Sequence, residues 1–530
     1  MRNRRMIAIM LSIVMAAALV GALPAQALAS DPEFQLVVTT PADGSQFMLP
    51  TSSWLDGIST AKVFDWHIEW GDSSSEDVLG MSSDAAGVPH EYMLAGTYTV
   101  TVTPNGPVDA WLAAFGFGYS SMGANSLANK SMLTGVASPI RPEMTRSAAQ
   151  MVGSSPAPSY EWANAFNGCS GLVQAPAFEG WEGITDAGDN FAESMFYGCA
   201  SLASLPEGFN LPADIIAVGN SFASNMFYGC TSLVSLPASF NLPQSIVAVP
   251  DGFALSMFNG CTSLASLPTA FDLPASISVV GELFASSMFY GCSSLVSLPA
   301  GFYLPQGITV VEQGFCFSMF LGCASLIGLP AGFNLPQGIT AASDLFAWGM
   351  FSECSSLASL PSGFNLPQGI TSAGIYFAAN MFLMAGGPTF QINAEFSFPA
   401  GIPLFSINAF NMTFQLSPLA PVQARTAASI IGSCPTPMME QSTFDYHFTD
   451  IDFIHVNWGG GGLTKPPVGL PGTGDLDGDG FVTMSEVLTC ARAALGDIGL
   501  SPEQLACIDM DGDGFITMFD VMQVYRMAIQ

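Results

Sequence analysis

A step of 31 residues governs the middle of this chain. Cys199, Cys230, Cys261, Cys292, Cys323 and Cys354 follow one another at that interval, and a Met-Phe pair precedes each of them, from Met195-Phe196 to Met350-Phe351. A seventh pair, Met381-Phe382, keeps step after the cysteines stop, and Ala165-Phe166-Asn-Gly-Cys169 is an earlier, less regular copy. A unit this short cannot bury its own apolar side. Stacked copies can, because each residue type then sits above and below itself. Within a unit such as Met226 to Val249, Leu-x-x-Leu-Pro predicts a short strand closed by proline, Ile-x-x-Val a second, and Phe-Ala-x-x-Met-Phe a single helical or 3-10 turn. Roughly six or seven apolar side chains per unit, at ~1.5–3 kcal/mol each, offset the ordering of the unit only when neighbours cover both sides. The expectation is a right-handed solenoid with ladders of Leu, Phe, Met and Cys.

The pattern Met226-Phe227…Cys230…Leu233, with its copies, resembles the BspA-type leucine-rich repeats of bacterial surface proteins. That resemblance covers roughly residues 160–390 and implies a leucine-rich-repeat solenoid with a role in adhesion and in protein or glycan binding. The cysteines read as small buried residues filling one corner of every coil, since a linear ladder does not converge on a metal.

A second pattern closes the chain. Asp475, Asp477, Asp479, Phe481, Thr483 and Glu486 occupy positions 1, 3, 5, 7, 9 and 12 of one twelve-residue loop, and Asp509, Asp511, Asp513, Phe515, Thr517 and Asp520 repeat them 34 residues later. Carboxylates at 1, 3, 5 and 12, a backbone carbonyl at 7 and a turn glycine at 6 (Gly480, Gly514) supply the oxygens that Ca²⁺ requires. Nothing helical fits the Gly/Pro-rich stretch 459–474 before the first loop, so only exiting helices are expected, one of them carrying Val487, Leu488, Ala491 and Leu495. This loop–helix, linker, loop–helix order resembles a dockerin, a small α-helical module folded around calcium. The resemblance implies two Ca²⁺ ions, a cohesin partner on a scaffold or surface protein, and cohesin contacts through Met484, Ser485, Met518 and Phe519 at loop positions 10 and 11. Cys490 and Cys507 flank the linker between the loops and form a candidate disulfide.

Residues 31–105 obey a different rhythm. Phe64-Asp-Trp-His-Ile-Glu-Trp70 and Thr97-Tyr-Thr-Val-Thr-Val-Thr103 alternate apolar and polar residues between Gly, Asp and Ser clusters, which predicts an antiparallel sandwich. Trp70-Gly-Asp72 and His90-x-Tyr92…Gly96-Thr-Tyr-Thr-Val resemble a PKD-like, immunoglobulin-type domain. Trp66 and Trp70 read either as a sugar platform or, with one of the pair turned inward, as core.

The chain begins Met1-Arg-Asn-Arg-Arg5, continues with an apolar run and reaches Ala27-Leu-Ala29, the pattern of a secretory signal peptide, with no membrane span expected after its cleavage. The expected division is therefore a signal peptide (1–29), a PKD-like sandwich (30–105), an irregular cap (106–160), the solenoid (161–390), a second cap (391–456), a Gly/Pro linker (457–473) and the dockerin (474–530). The whole is a multidomain, mainly β chain.

Charge narrows the partners. Acidic residues outnumber Lys and Arg by 42 to 11, which leaves no cationic surface for nucleic acid. Between Arg146 and Arg425 there is no Lys or Arg at all. The four histidines, His67, His90, His447 and His455, sit in no nucleophile or metal-ligand motif, and the nine acids of residues 191–382 fall mostly at differing positions in the unit. No catalytic residue is assigned, and the chain is not expected to be an enzyme. The expectation is a secreted interaction or adhesion protein at a cell surface, with the solenoid binding a host protein or glycan. The alternatives are an enzyme component of a cellulosome-like complex whose site the patterns do not reveal, and a structural spacer.

Overall fold

The computed structural model describes residues 33–50, 63–81, 87–106, 112, 115–118, 126–144, 162–374, 376–386, 457–458, 461–462 and 507–509. The chain divides into two units, Met1–Arg425 and Thr426–Gln530. Among the described residues it is mainly β, with few helices.

The first unit opens with six strands: β1 (Phe34–Thr40), β2 (Ser45–Leu49), β3 (Val63–Glu69), β4 (Ser75–Met81), β5 (Val88–Tyr92) and β6 (Gly96–Pro104). A short helix, α1 (Leu127–Met132), leads into β7 (Leu133–Val136). Ser126 caps α1 by accepting from the Asn129 backbone N–H. One sheet runs β4-β3-β6-β1-β7, and β2 pairs with β5 separately. Strict alternation along β1 puts Phe34, Leu36 and Val38 inside, where Trp66, Ile68, Val100 and Val102 join them. The Trp70-Gly-Asp72 turn needs its glycine twice over. Gly71 has φ +81°, and a Cβ there would run into the Thr99 backbone.

From residue 162 the backbone winds into stacked coils, and the 31-residue step reappears as the hydrogen-bonding offset between them. Two narrow parallel ladders run along the stack. One joins Ser266, Ser297, Gly328 and Ser359. The other is made of two-residue strands, β8 (Ala248–Val249) with β9 (Val279–Val280), and β10 (Val310–Val311), β11 (Ala341–Ala342) and β12 (Ser372–Ala373). Phenylalanines form three stacked columns. Phe227, Phe258 and Phe289 stack at 5.5 Å between ring centroids, Phe240, Phe271 and Phe302 at 5.9–6.0 Å, and edge-to-face contacts such as Phe258–Phe271 lock one column to the next.

The Phe-Ala-x-x-Met-Phe segment is not the helical or 3-10 turn its sequence predicts. Its φ angles alternate in sign: Leu283, Ala285 and Ser287 stand at +59°, +50° and +52°, and the same positions are positive in the other coils. Alternation aims every second N–H along the stack. Ser287, Phe289 and Gly291 donate to Phe317, Met319 and Leu321 of the next coil, while Tyr290 and Cys292 close bonds within their own coil. Left-handed backbone costs a non-glycine residue roughly 1–2 kcal/mol. Satisfying a buried N–H across coils offsets it.

The sheet and the coils are spliced. β7 pairs antiparallel with β1, and on its other side Gly135 forms a parallel bridge with Gln174 of the first coil. Phe115 continues the core across the seam, 5.2 Å from Phe34 and 6.0 Å from Phe166. β7 lies in the segment read from sequence as an irregular cap, yet it supplies the edge strand of the sheet.

In the second unit, β13 (Asn457–Trp458) pairs antiparallel with β14 (Gly461–Gly462).

Candidate functional sites on the coils and in the calcium loops

The coils from Cys169 to Cys354 each carry a thiol whose surroundings make it structural. Cys261 is fully buried and donates to the Phe227 carbonyl at 3.1 Å; Cys230, Cys292, Cys323 and Cys354 repeat that bond to the phenylalanine 34 residues earlier. Burial pushes these thiols well above their ordinary range, so they are poor nucleophiles and poor metal ligands. Cys316 occupies the position that Ala285 and Ala347 fill in neighbouring coils, and it is equally buried.

A side-chain ladder absent from the sequence reading runs along the position of Asn210, Asn241, Asp272, Tyr303, Asn334 and Asn365. The Asn241 carbonyl oxygen accepts from the backbone N–H groups of Leu242 and Asp272, and its amide donates to Ala270 O. Recurrence of Asn or Asp at this one position is the signal that could have found it. Asp272 breaks the series because a carboxylate cannot donate; burial holds its pKa up, against bonds from the N–H groups of Tyr303 and Leu273.

The outward columns carry Val, Ile, Ala, Ser and Thr. Val234, Val296 and Ile327 are exposed beside the serine ladder, Val279 and Val310 are exposed within β9 and β10, and Val247 is exposed just before β8. Tyr197 and Tyr228 stack at 4.6 Å, and Phe317 and Trp348 at 4.9 Å.

In the N-terminal sheet, Trp66 and Trp70 are both buried, so they form core rather than a sugar platform. Trp70 stacks on His90 at 4.5 Å; His90 pairs with Asp72 at 2.8 Å, and Tyr92 donates to Trp70 O. His67 pairs with Asp77. These histidines brace turns and strands. Among the described residues no three His, Cys, Asp or Glu side chains gather where they could hold a metal.

The calcium ligands read from sequence lie outside the described residues, with the exception of Asp509. It opens the second loop, half-buried, directly after the helical and fully buried Cys507 and Ile508. The remaining ligands, the cohesin-contact candidates Met484, Ser485, Met518 and Phe519, and Cys490, His447 and His455 also lie outside them. Their chemistry is that of a hard-cation site: carboxylates, a hydroxyl and one peptide carbonyl per loop, with no soft ligand among them.

Comparison with family models decides what these loops belong to. Residues 473–527 match the dockerin type I domain. Type I dockerins bind calcium and dock with cohesins, so this dockerin is a module for assembly into a scaffold complex. No curated protein and no solved structure matches the chain. Among the described residues no helix is long and apolar enough to cross a membrane.

Proposed function

We propose that this is a secreted interaction protein whose dockerin holds two Ca²⁺ ions and recruits it to a cohesin-bearing scaffold or cell surface, while a BspA-type leucine-rich-repeat solenoid, extended by a PKD-like immunoglobulin-type sandwich, presents the binding surface. The dockerin match over 473–527 carries the recruitment half. Asp475, Asp477, Asp479, the Phe481 carbonyl, Thr483 and Glu486 hold the first ion. Asp509, Asp511, Asp513, the Phe515 carbonyl, Thr517 and Asp520 hold the second. Met484, Ser485, Met518 and Phe519 face the cohesin. The stacked coils support the binding half, because they offer long outward columns of uncharged side chains on a rigid core. The reading assigns no catalytic residue.

Calorimetry of the full chain with Ca²⁺, followed by capture on immobilised cohesins with and without EDTA, tests recruitment. Two ions bound and chelator-sensitive capture are expected, with Asp475→Ala and Asp509→Ala each removing one ion. A chain that binds no calcium, or that is captured equally in EDTA, overturns the proposal.

A further inference from the structure

We propose that Tyr228, Asn259 and Tyr290 form a subsite that holds one neutral pyranose ring of a glycan. This deepens the interaction reading above and rests on it. The three residues occupy one position on consecutive coils, as the backbone shows: the N–H of Gly198 donates to Tyr228 O, that of Gly229 to Asn259 O and that of Gly260 to Tyr290 O. Tyr197 and Tyr228 stack at 4.6 Å with their planes 4° apart, so rings in this column lie across the axis of the stack and present a face to the next coil. Asn259 interrupts the column. Tyr228 turns its free face toward Asn259, and Tyr290 stands on the far side, held by the same turn bond: Tyr228 donates to Asn225 O and Tyr290 to Ser287 O. Two coils separate the tyrosines, about 9.6 Å at one strand spacing per coil. The result is a notch one coil wide with a short amide at its floor.

Width and polarity name the occupant. A flat ring in contact with both tyrosines at carbon contact distance fills only ~7–8 Å, whereas a puckered pyranose, thicker by its axial C–H bonds, takes up the remainder. Polar groups stand where a sugar needs them. The Asn259 amide and the Tyr228 and Tyr290 hydroxyls have no hydrogen-bond partner among the described residues, while Asn225, Asn241 and Asn334 engage their amides within the chain. Tyr290 is exposed, and Tyr228 and Asn259 are half-buried. Beside the notch, Gly229, Gly260 and Gly291 form a shelf without side chains. Glu353, at the same position with φ +61°, shows that this backbone accepts a side chain, so glycine there leaves room for the sugars on either side of the bound ring. No charged residue stands in the tyrosine column from Tyr197 to Leu321 or in the glycine column from Gly198 to Gly322, which suits a neutral ring. Two apolar faces with a few convergent polar groups make a small-ligand site rather than a broad protein contact.

The repeats themselves supply the test variants, because each replacement already stands at the same position in another coil. Asn259→Tyr borrows Tyr228 and fills the notch with a ring; Tyr290→Asn borrows Asn259 and removes one wall. Tyr303→Asn, which borrows Asn334, is the control tyrosine on another column. The full chain is titrated by calorimetry with neutral gluco-, manno-, xylo- and galacto-hexasaccharides, with hexagalacturonate, and with N-acetyltryptophanamide as the ring of a protein partner. The expected result is one site per chain for at least one neutral hexasaccharide, weakened roughly tenfold by Tyr290→Asn, abolished by Asn259→Tyr and unchanged by Tyr303→Asn. Hexagalacturonate bound as tightly as the neutral sugars overturns the proposal. So does N-acetyltryptophanamide bound in their place and lost with Asn259→Tyr, which assigns the notch to a protein side chain. Binding of a neutral sugar that survives Asn259→Tyr removes the subsite and leaves the interaction reading standing. If none of these ligands binds, the subsite falls; the interaction reading falls with it only when a panel of immobilised polysaccharides and host proteins also fails to retain the chain.

Discussion

The N-terminal sheet and the stacked coils both bury aromatic cores, but they satisfy their polar groups in opposite ways. The sheet uses single, irregular tethers that involve charge: His90 with Asp72, His67 with Asp77, and the Trp70 indole donating to Glu76. The coils use one neutral bond copied along the stack, the Cys thiol on a Phe carbonyl, with an asparagine ladder beside it. Charged tethers tie stability to carboxylates, and buried thiols tie it to remaining protonated. The sheet is therefore the acid-sensitive region and the coil stack the alkali-sensitive one.

The largest effect expected is alkaline unfolding of the coils. For a thiol whose folded pKa is raised, stability is fully present below the unfolded value, about 8.5, and is lost as pH rises toward the folded one. Each buried thiol then contributes a slope of about 1.4 kcal/mol per pH unit. Eight of them, Cys169 to Cys354, lie in the coils and none in the sheet. Denaturation followed by circular dichroism should show the transition collapsing between about pH 9 and 10.5. Cys261→Ala should flatten the slope by one thiol's share. A protein equally stable at pH 7 and 10.5 would break the contrast.

Next comes the backbone of the coil stack. Gly281 has no room for a side chain, because a Cβ would strike the Asp251 carboxylate and main chain of the preceding coil. The same holds for Gly219 against Asp189 and Gly374 against Asp344, whereas Pro250, Glu312 and Ser343 at this position follow Asn220, Glu282 and Gln313. Gly281→Ala should cost roughly 1–3 kcal/mol. Gly301→Ala, where a Cβ meets nothing within 4 Å, should be neutral or slightly stabilising. Equal effects in chemical denaturation would show that the coils are looser than their hydrogen bonds imply.

These examples mark how far the sequence could be read. The 31-residue step, the anchors of both ladders and the calcium-loop spacing are visible because each repeats a residue type at a fixed offset. The alternating backbone at Leu283, Ala285 and Ser287 was not, since Ala, Ser and Leu carry no mark of positive φ and suit a helical turn equally well. β7 was missed because Leu133-Thr-Gly-Val136 is too short for period-two alternation to register, and what defines it is pairing with β1, about 100 residues away. The dockerin match over 473–527 was legible from the spacing of the two loops, while the individual ligands, Asp509 excepted, and the cohesin contacts lie outside the described residues.

Asp272 carries the contrast inside the coils themselves, as the one charged rung of a neutral ladder. Asn241 and Asn334 donate to Ala270 O and Gly363 O; the carboxylate of Asp272 has no proton to offer at the corresponding place. Its folded pKa is raised, so its contribution is most favourable below the unfolded value, about 3.9, and is lost as pH rises through the folded one. Asp272→Asn should add roughly 0.5–1.5 kcal/mol at pH 7 and almost nothing at pH 3. A gain that persists undiminished at pH 3 would mean that ionisation is not what the substitution relieves.

The smallest effect tests the acid arm in the sheet. Burial raises the Asp72 carboxyl, but bonds from Ser74 and His90 outweigh it and hold the pKa below the ordinary value. A depressed carboxyl contributes stability above its unfolded pKa and loses it as pH falls through the folded one, so the sheet should weaken below about pH 4. Solvent screening keeps the contribution under about 1 kcal/mol. Asp72→Asn keeps the acceptor for Ser74 and removes only the charge facing His90. The acid limb of the stability profile should then flatten while the alkaline limb of the coils stays where it was. If both limbs move together, the sheet and the coils unfold as one cooperative body across the β7 seam, and the two regions differ in chemistry but not in fate.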